Sequence, residues 1–388
     1  MINIGFSITI FGAGYLDIFL KYTLPPILFF FNKSNKYKLI LFLHSTKKEF
    51  DDIKYVLSSS GINYSTEFNE LNLKSIKNFS YKELTQLQNQ DLQSSHDKSV
   101  KYLYFLYADM FFNFELIENT IHLLDKSPHL KGCYTFAPEL ENNNYLKNFY
   151  KHLKKDINKA LKFLIDNYSN LISRFHKNYI LGNGIPTNFN FLMIKEKDTI
   201  FIKSLDFHPI VVNVSLNKKN QFNSIAIDQN FLFRNDIDKW FLVKEISKVC
   251  CFSVSNKEEL RNYTRNYDKI LTEEEVKNIY IANIRSKISN LSYYKKKIFF
   301  DKFIVISNNP NKSYILNDIF NKKLIDGKNN LRYFVRLLAN MPIKNLFFNI
   351  LTLIYSKIFF KKKLYLKTIY QSKEIILLTS IIRLFIKR

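Results

Sequence analysis

The stretch Lys101–Asn113, KYLYFLYADMFFN, constrains the fold of this chain more than any other. From Tyr102 to Ala108 the residues are uncharged and mostly aromatic or branched. The run is too short for a buried helix and rich in β-favouring side chains, so it predicts a buried strand. The strand delivers one carboxylate, Asp109, at its C-terminal end. A new amphipathic segment begins at Phe114. In open α/β sheets, ligands bind just beyond the carboxyl ends of the strands. Asp109 is therefore a candidate to hold a metal or a metal-bound phosphate. The plain alternative is a loop residue leading into the next helix.

The rest of the chain alternates in the same way. Ile4–Phe11 predicts a first strand, followed by the turn Gly12-Ala13-Gly14 and helical spacing over Tyr15–Leu24. Pro25-Pro26 predicts an interruption or kink there. A glycine turn between first strand and first helix suits close approach of a phosphate to the backbone, although a tight turn alone would also use these residues. Tyr37–Leu43 predicts a second strand ending at His44-Ser45-Thr46, and Thr46 with Glu49 forms a capping-box pattern for a helix to about Ser58. Ile62–Phe68 is a candidate third strand. Ser75–Asp97 is polar and helical with loops, Phe114–Lys126 is a helix, and Gly132–Phe136 is a short strand. This β-α-β-α order argues for a largely parallel sheet covered by helices.

Tyr145–His176 has apolar residues every three or four positions and predicts a helical region whose stripe is core. Gly182–Pro186 breaks it. Phe189–Ile194, Ile210–Leu216 and Lys248–Ser253 are further candidate strands. Lys257–Asp326 is charged and predicts mainly helix. The chain thus divides into a domain over 1–255, a helical extension over 256–330 and a basic amphipathic tail over 331–388.

With 388 residues, the chain can bury one or two large cores. Its net charge is +24, which points to an anionic partner or surface. The tail from Leu331 holds 12 Lys and Arg against the single acid Glu374. Its apolar stretches Leu346–Tyr355 and Ile375–Ile386 are too short to span a bilayer core of about 30 Å, yet adjoin basic clusters, a pattern of interfacial helices on anionic membranes. The three cysteines, Cys133, Cys250 and Cys251, have no metal-finger spacing and fit a reducing cytosol. The opening MINIGFSITIF lacks a basic leader and predicts a strand rather than a signal.

There is no P-loop, HExxH, GxSxG elbow or CxxC pair in the sequence. The remaining chemistry-bearing residues at strand ends are Asp109, His208 and Asp228. Hard oxygen ligands suit a divalent metal holding a diphosphate, and Mn²⁺ accepts a histidine beside them. Asp109 and His208 could supply such ligands, and Asp228 could act as a base or bind a sugar hydroxyl. His208, before Pro209, could instead fix a turn, and Asp228 could cap a helix.

Taken in order, the segments ITIFGAGYLDIFLKYTLPPIL, YLYFLYADMFF, SLDFHPIVV and SIAIDQNFL resemble a family of bacterial proteins similar to nucleotide-sugar glycosyltransferases of the GT-A fold. The resemblance spans roughly Met1 to Ser255. It implies an α/β fold with a mostly parallel sheet and helices on both faces, followed here by a helical, basic C-terminal region. In that fold a DxD motif at a strand end binds Mn²⁺ or Mg²⁺ and the donor diphosphate. This chain has Ala108-Asp109-Met110, with Phe111 where a second acid would stand. The resemblance implies that His208 is a further metal ligand and that Gly12, Gly14, His44 and Thr46 flank the nucleotide. The expected activity is transfer of a sugar from a nucleotide-sugar donor to a glycan or lipid-linked acceptor in surface-polysaccharide assembly. The expected location is the cytoplasm, peripheral on the inner face of the membrane, with no nucleic-acid partner. The rival reading is a non-catalytic basic module for anionic lipid or nucleic acid, which would scatter these residues instead of gathering them.

Overall fold

The computed structural model describes residues 1–10, 12–71, 81–135, 137–172, 191–196, 199–204, 208–217, 236, 239–243, 249–255 and 304–307. Three apolar runs, β1 (Ile2–Thr9), β2 (Tyr37–Ser45) and β4 (Val100–Tyr107), pair in parallel with β1 in the middle. β3 (Tyr64–Glu70) extends the sheet beyond β2. On the other side β10 (His208–Asn213) pairs antiparallel to β4 and to β6 (Gly132–Thr135), and β11 (Trp240–Leu242) closes the edge. The result is a seven-stranded, mostly parallel sheet, the α/β architecture the resemblance implied.

Both faces of the sheet are covered, which is why its central strands read as nearly continuous apolar runs. Side chains alternate between the faces. Ile4, Phe6 and Ile8 join Leu39, Leu41, Tyr102 and Tyr104 on one face. There they meet α2 (Leu24–Lys33), α3 (Lys47–Ser59) and α5 (Leu116–Lys126) through Phe31, Ile53 and Ile117. The opposite face carries Ser7, Thr9, Phe42, His44 and Phe105 and is covered by α4 (Tyr81–Asp97), which packs on β4 and β1.

Pro25-Pro26 does not interrupt the first helix. The chain stays helical from α1 (Ala13–Ile18) through a wide π turn (Phe19–Thr23) into α2. In that turn Leu24 N–H reaches back five residues to the Phe19 carbonyl. Pro26 has no N–H to give the Tyr22 carbonyl four residues earlier. The Tyr150 hydroxyl donates to that carbonyl instead, at 3.1 Å. The loosened turn buries Thr23, whose hydroxyl makes a short bond to the Met110 carbonyl and a longer one, 3.3 Å, to that of Ala108. Thr23 thus grips the backbone on both sides of Asp109.

The helical region after Tyr145 is three helices, not one: α6 (Asn144–Lys155), α7 (Ile157–Asp166) and α8 (Tyr168–Leu171). Asp156 breaks it. Its backbone is extended, and its carboxylate accepts from the N–H groups of Asn158 and Lys159, ending one helix and capping the next. Two small sheets complete the described chain. One joins β5 (Met110–Phe112), β12 (Cys251–Ser255) and β7 (Glu139–Glu141). The other is the antiparallel set of β8 (Phe191–Glu196), β9 (Thr199–Ser204) and β13 (Ile304–Ser307).

β13 lies where the sequence predicts helix. Its run Ile304-Val305-Ile306 is β-branched throughout, which favours pairing with β9 over helix. The predicted strand Ile210–Leu216 ends at Asn213 and passes into a 3₁₀ turn, Val214–Leu216. The rest of 256–330, and all of 331–388, lie outside the described residues.

The Thr23→Val substitution keeps shape and removes the hydroxyl. It leaves two buried carbonyls without that donor, so unfolding free energy should fall by about 1–3 kcal/mol. Urea denaturation of the variant checks this; an unchanged midpoint would mean the hydroxyl does not hold the turn.

Candidate functional site

Parallel strands deliver all their C-terminal ends to one edge of a sheet. Here that edge collects the polar residues. Thr9 stands in register with His44 on β2 and with Tyr107 on β4. β10 runs the other way, so its first residue, His208, arrives at the same edge. Its ring lies against Tyr107, with centroids 4.9 Å apart. His44, Thr9, Tyr107 and His208 therefore form a row across four adjacent strands, on the face covered by α4.

His208 has a defined protonation state. Its Nε2 lies 2.8 Å from the Phe105 carbonyl. A carbonyl can only accept, so Nε2 carries the proton. Burial lowers the His208 pKa to about 4, outweighing the backbone bond that raises it, and the ring is neutral at pH 7. Nδ1 is then an unprotonated lone pair, buried and without a hydrogen-bond partner among the described residues. A metal-binding histidine is commonly fixed in this way, with one nitrogen donating to a backbone carbonyl and the other left to ligate.

Asp109 follows two residues after Tyr107, in the turn between β4 and β5. It is half-buried, and its backbone carbonyl accepts from the Val254 N–H at 2.9 Å. Thr23 holds the residues on either side. Gly12 sits at the end of β1 with φ of 91° and ψ of 172°. Only glycine adopts this conformation readily. A β-carbon there would meet nothing within 4 Å, so the turn opens onto free space. Gly14 is exposed in α1.

His44 and Thr46 have visible structural employment. His44 is 3% exposed, and its Nε2 donates to Asp91 Oδ2 at 2.8 Å. Asp91 belongs to the inner stripe of α4 with Gln88 and Ser95, all buried polar residues. Thr46 caps α3: its hydroxyl accepts from Glu49 N–H at 3.5 Å, and Glu49 Oε2 accepts from Thr46 N–H at 2.9 Å. Gly12, Gly14, His44, Thr46, Asp109 and His208 all lie at or beside the carboxyl edge. Asp228 lies outside the described residues. No group of three or more potential metal ligands occurs among the described residues.

Sequence reasoning missed Thr23, Tyr107 and Asp91. Nothing in the sequence marks Thr23 beyond the prolines that follow it. Asp91 was legible only as one polar position of a polar helix. The three cysteines are buried, and burial raises each thiol far above its ordinary range, so they are poor nucleophiles.

No family model and no curated protein matches the chain. Solved structures do. The crystal structure of Staphylococcus aureus TarS is 10% identical, with a TM-score of 0.35, covering 76% of this chain and 45% of that one. Its 1–349 fragment in complex with UDP is 10% identical, with a TM-score of 0.34, covering 77% of this chain and 78% of that one. Mouse xyloside xylosyltransferase 1, apo form, is 13% identical, with a TM-score of 0.26, covering 40% and 60%. The chain thus spans less than half the length of the first of these.

A neutral buried histidine makes stability depend on pH. The folded pKa, about 4, lies below the ordinary histidine value of about 6.5. Between them the unfolded chain binds more protons, so the contribution is complete above about pH 6.5 and is lost as pH falls toward 4, by up to about 3 kcal/mol. Urea denaturation at several pH values should show this slope, and His208→Gln should flatten it. An identical slope in the variant would defeat the assignment.

Proposed function

We propose that the chain is a glycosyltransferase that takes a sugar from a nucleotide-sugar donor bound at the carboxyl edge of the central sheet. The observation that carries this reading is His208, with its lone pair presented by a fixed tautomer in the row beside the strand that delivers Asp109. Gly12 leaves room for a phosphate to approach the backbone at the end of β1. A carboxylate oxygen and an imidazole nitrogen are ligands that Mn²⁺ accepts, with diphosphate oxygens completing the shell. Such a metal, when bound, would neutralise charge developing on the departing diphosphate.

Within the reading each residue has a limited task. Asp109 places a negative oxygen at the strand end, Thr23 fixes the turn that carries it, and the Phe105 carbonyl fixes the His208 ring. Asp228 is kept as the proposed base or sugar-hydroxyl ligand. His44 and Thr46 would shape the nucleotide side of the edge, His44 through its bond to Asp91 and Thr46 through the cap of α3. The acceptor is proposed to be a glycan or a lipid-linked glycan of surface-polysaccharide assembly, met at the cytoplasmic face of the membrane.

A ligand that binds only the native state raises its stability. A thermal-shift screen against UDP-, GDP-, CDP- and TDP-sugars, with and without Mn²⁺, should give a melting-temperature rise with one nucleotide class that grows with the metal. Asp109→Asn should retain the fold and lose the metal-dependent part of the rise together with donor turnover. No shift with any nucleotide would overturn the donor assignment, and full turnover in the variant would remove Asp109 from the site.

The tail is proposed to dock on anionic membrane through its basic clusters. Lys361, Lys362 and Lys363 changed together to Gln should weaken co-sedimentation with anionic vesicles by about fivefold per residue. Unchanged binding would exclude that cluster.

A further inference from the structure

The positive charge of the chain is unevenly placed. Residues 1–143 contain 14 Lys and no Arg, against 15 Asp and Glu, a net charge of −1. The whole excess lies beyond them, and its first part is α6. This helix carries Lys147, Lys151, Lys154 and Lys155 and no acidic residue. Leu146, Phe149, Tyr150 and Leu153 turn inward and are buried. The four lysines occupy the opposite side, and all are exposed. At 100° per residue they fall within about a third of the helix circumference.

These lysines have no carboxylate partner among the described residues. Elsewhere Lys21, Lys33, Lys47, Lys98, Lys101 and Lys131 each pair with an acid, whereas Lys36, Lys48, Lys54 and Lys126 have no such partner among the described residues but are spread over more than one element instead of sharing one helix face. Lys154 lies 4.8 Å from the centroid of the buried Tyr150 ring, which directs its ammonium group along the helix surface. On α7, Lys159 and Lys162 are also exposed. Lys159 has only a 4.0 Å approach to Asp156.

We infer that this face of α6 is a docking surface for a membrane rich in anionic phospholipid. The charge is complementary, and no carboxylate of the described residues neutralises it. The face is the outside of a helix, not a groove, and suits a broad plane of headgroups. A single-stranded nucleic acid would want stacking rings between the cations; the ring beside Lys154 is buried. The inference depends neither on glycosyl transfer nor on the tail, since it concerns lysines of the folded domain.

The test is co-sedimentation of the full chain with phosphatidylglycerol-containing vesicles and with pure phosphatidylcholine vesicles. One variant changes Lys147, Lys151, Lys154 and Lys155 to Gln. A control changes the same number of exposed lysines elsewhere, Lys36, Lys48, Lys54 and Lys126, also to Gln. The parent should bind only the anionic vesicles. The α6 variant should bind them about fivefold more weakly per lysine, several hundredfold in all, and the control should stay within about threefold of the parent. All these positions are exposed, so folding should be kept, and a thermal melt checks it. The idea is overturned if the parent binds no vesicle, if the two variants lose binding equally, or if the parent binds an oligonucleotide but not the vesicles. Because no step reads turnover, failure of the glycosyltransferase reading leaves this result intact, and the Lys361–Lys363 variant reports separately on the tail.

Discussion

Everything at the candidate site depends on the parallel ladder β2-β1-β4. A parallel pair cannot be joined by a tight turn, so each strand must return through a crossover, and all three end at one edge. At that edge the chain must leave the sheet, and its backbone groups lose their ladder partners. Glycine at position 12, a capping threonine at 46 and a threonine-clamped turn at 109 are three local answers to this same requirement. They also create the space in which a ligand can meet backbone and side chains together. The ladder itself is robust because both faces are buried, from Ile4, Phe6 and Ile8 on one side to Phe42 and Phe105 on the other.

The exception to parallel order completes the row. Were β10 parallel to β4, its first residue would lie at the amino edge. Running antiparallel, it brings His208 beside Tyr107 and within 2.8 Å of the Phe105 carbonyl. The same row contains a second buried histidine, His44, held by Asp91 at 2.8 Å. Buried polar groups are costly unless paired. Each histidine meets that demand through Nε2 only, and each leaves Nδ1 without a partner among the described residues. They differ in what fixes them. His44 answers to a side chain on α4, which ties that helix to the sheet. His208 answers to the backbone of the strand that carries Asp109, so the geometry of strand and ring is shared.

Much of this was legible in the sequence because burial writes itself into composition. The apolar run at Tyr102–Ala108 and its terminal carboxylate gave strand and turn, and Thr46 with Glu49 gave a helix start that the hydrogen bonds reproduce. What could not be read were contacts between distant segments. Thr23 meets Ala108 and Met110 across more than eighty residues, and Tyr150 fills the carbonyl that Pro26 leaves open across more than a hundred. The prolines therefore looked like a break when they mark a widened turn. Asp156 was hidden inside an apolar period that runs straight through it, since periodicity reports the core face and not the backbone. The strand at Ile304–Ser307 was masked by charged neighbours, although three β-branched residues in a row favour it.

Charge and site are separated along the chain, and this bears on how an anion would be held. The strand ends that carry Gly12, Thr46 and Asp109 all lie in residues 1–143, whose net charge is −1. At physiological ionic strength, exposed charges farther away than about 8 Å are largely screened. The excess behind the net +24 is carried by residues 144–388, and residues 1–143 add nothing to it. On the proposed reading, a diphosphate at this edge would be held by short-range donors and by a cation bound to Asp109 and His208. The lysine-rich face of α6, in the docking proposed for it, would act over a surface instead, where many weak contacts add. Under the two proposals anion recognition would divide into two physical regimes: local and geometric at the sheet edge, diffuse and salt-sensitive on the outside of the helix.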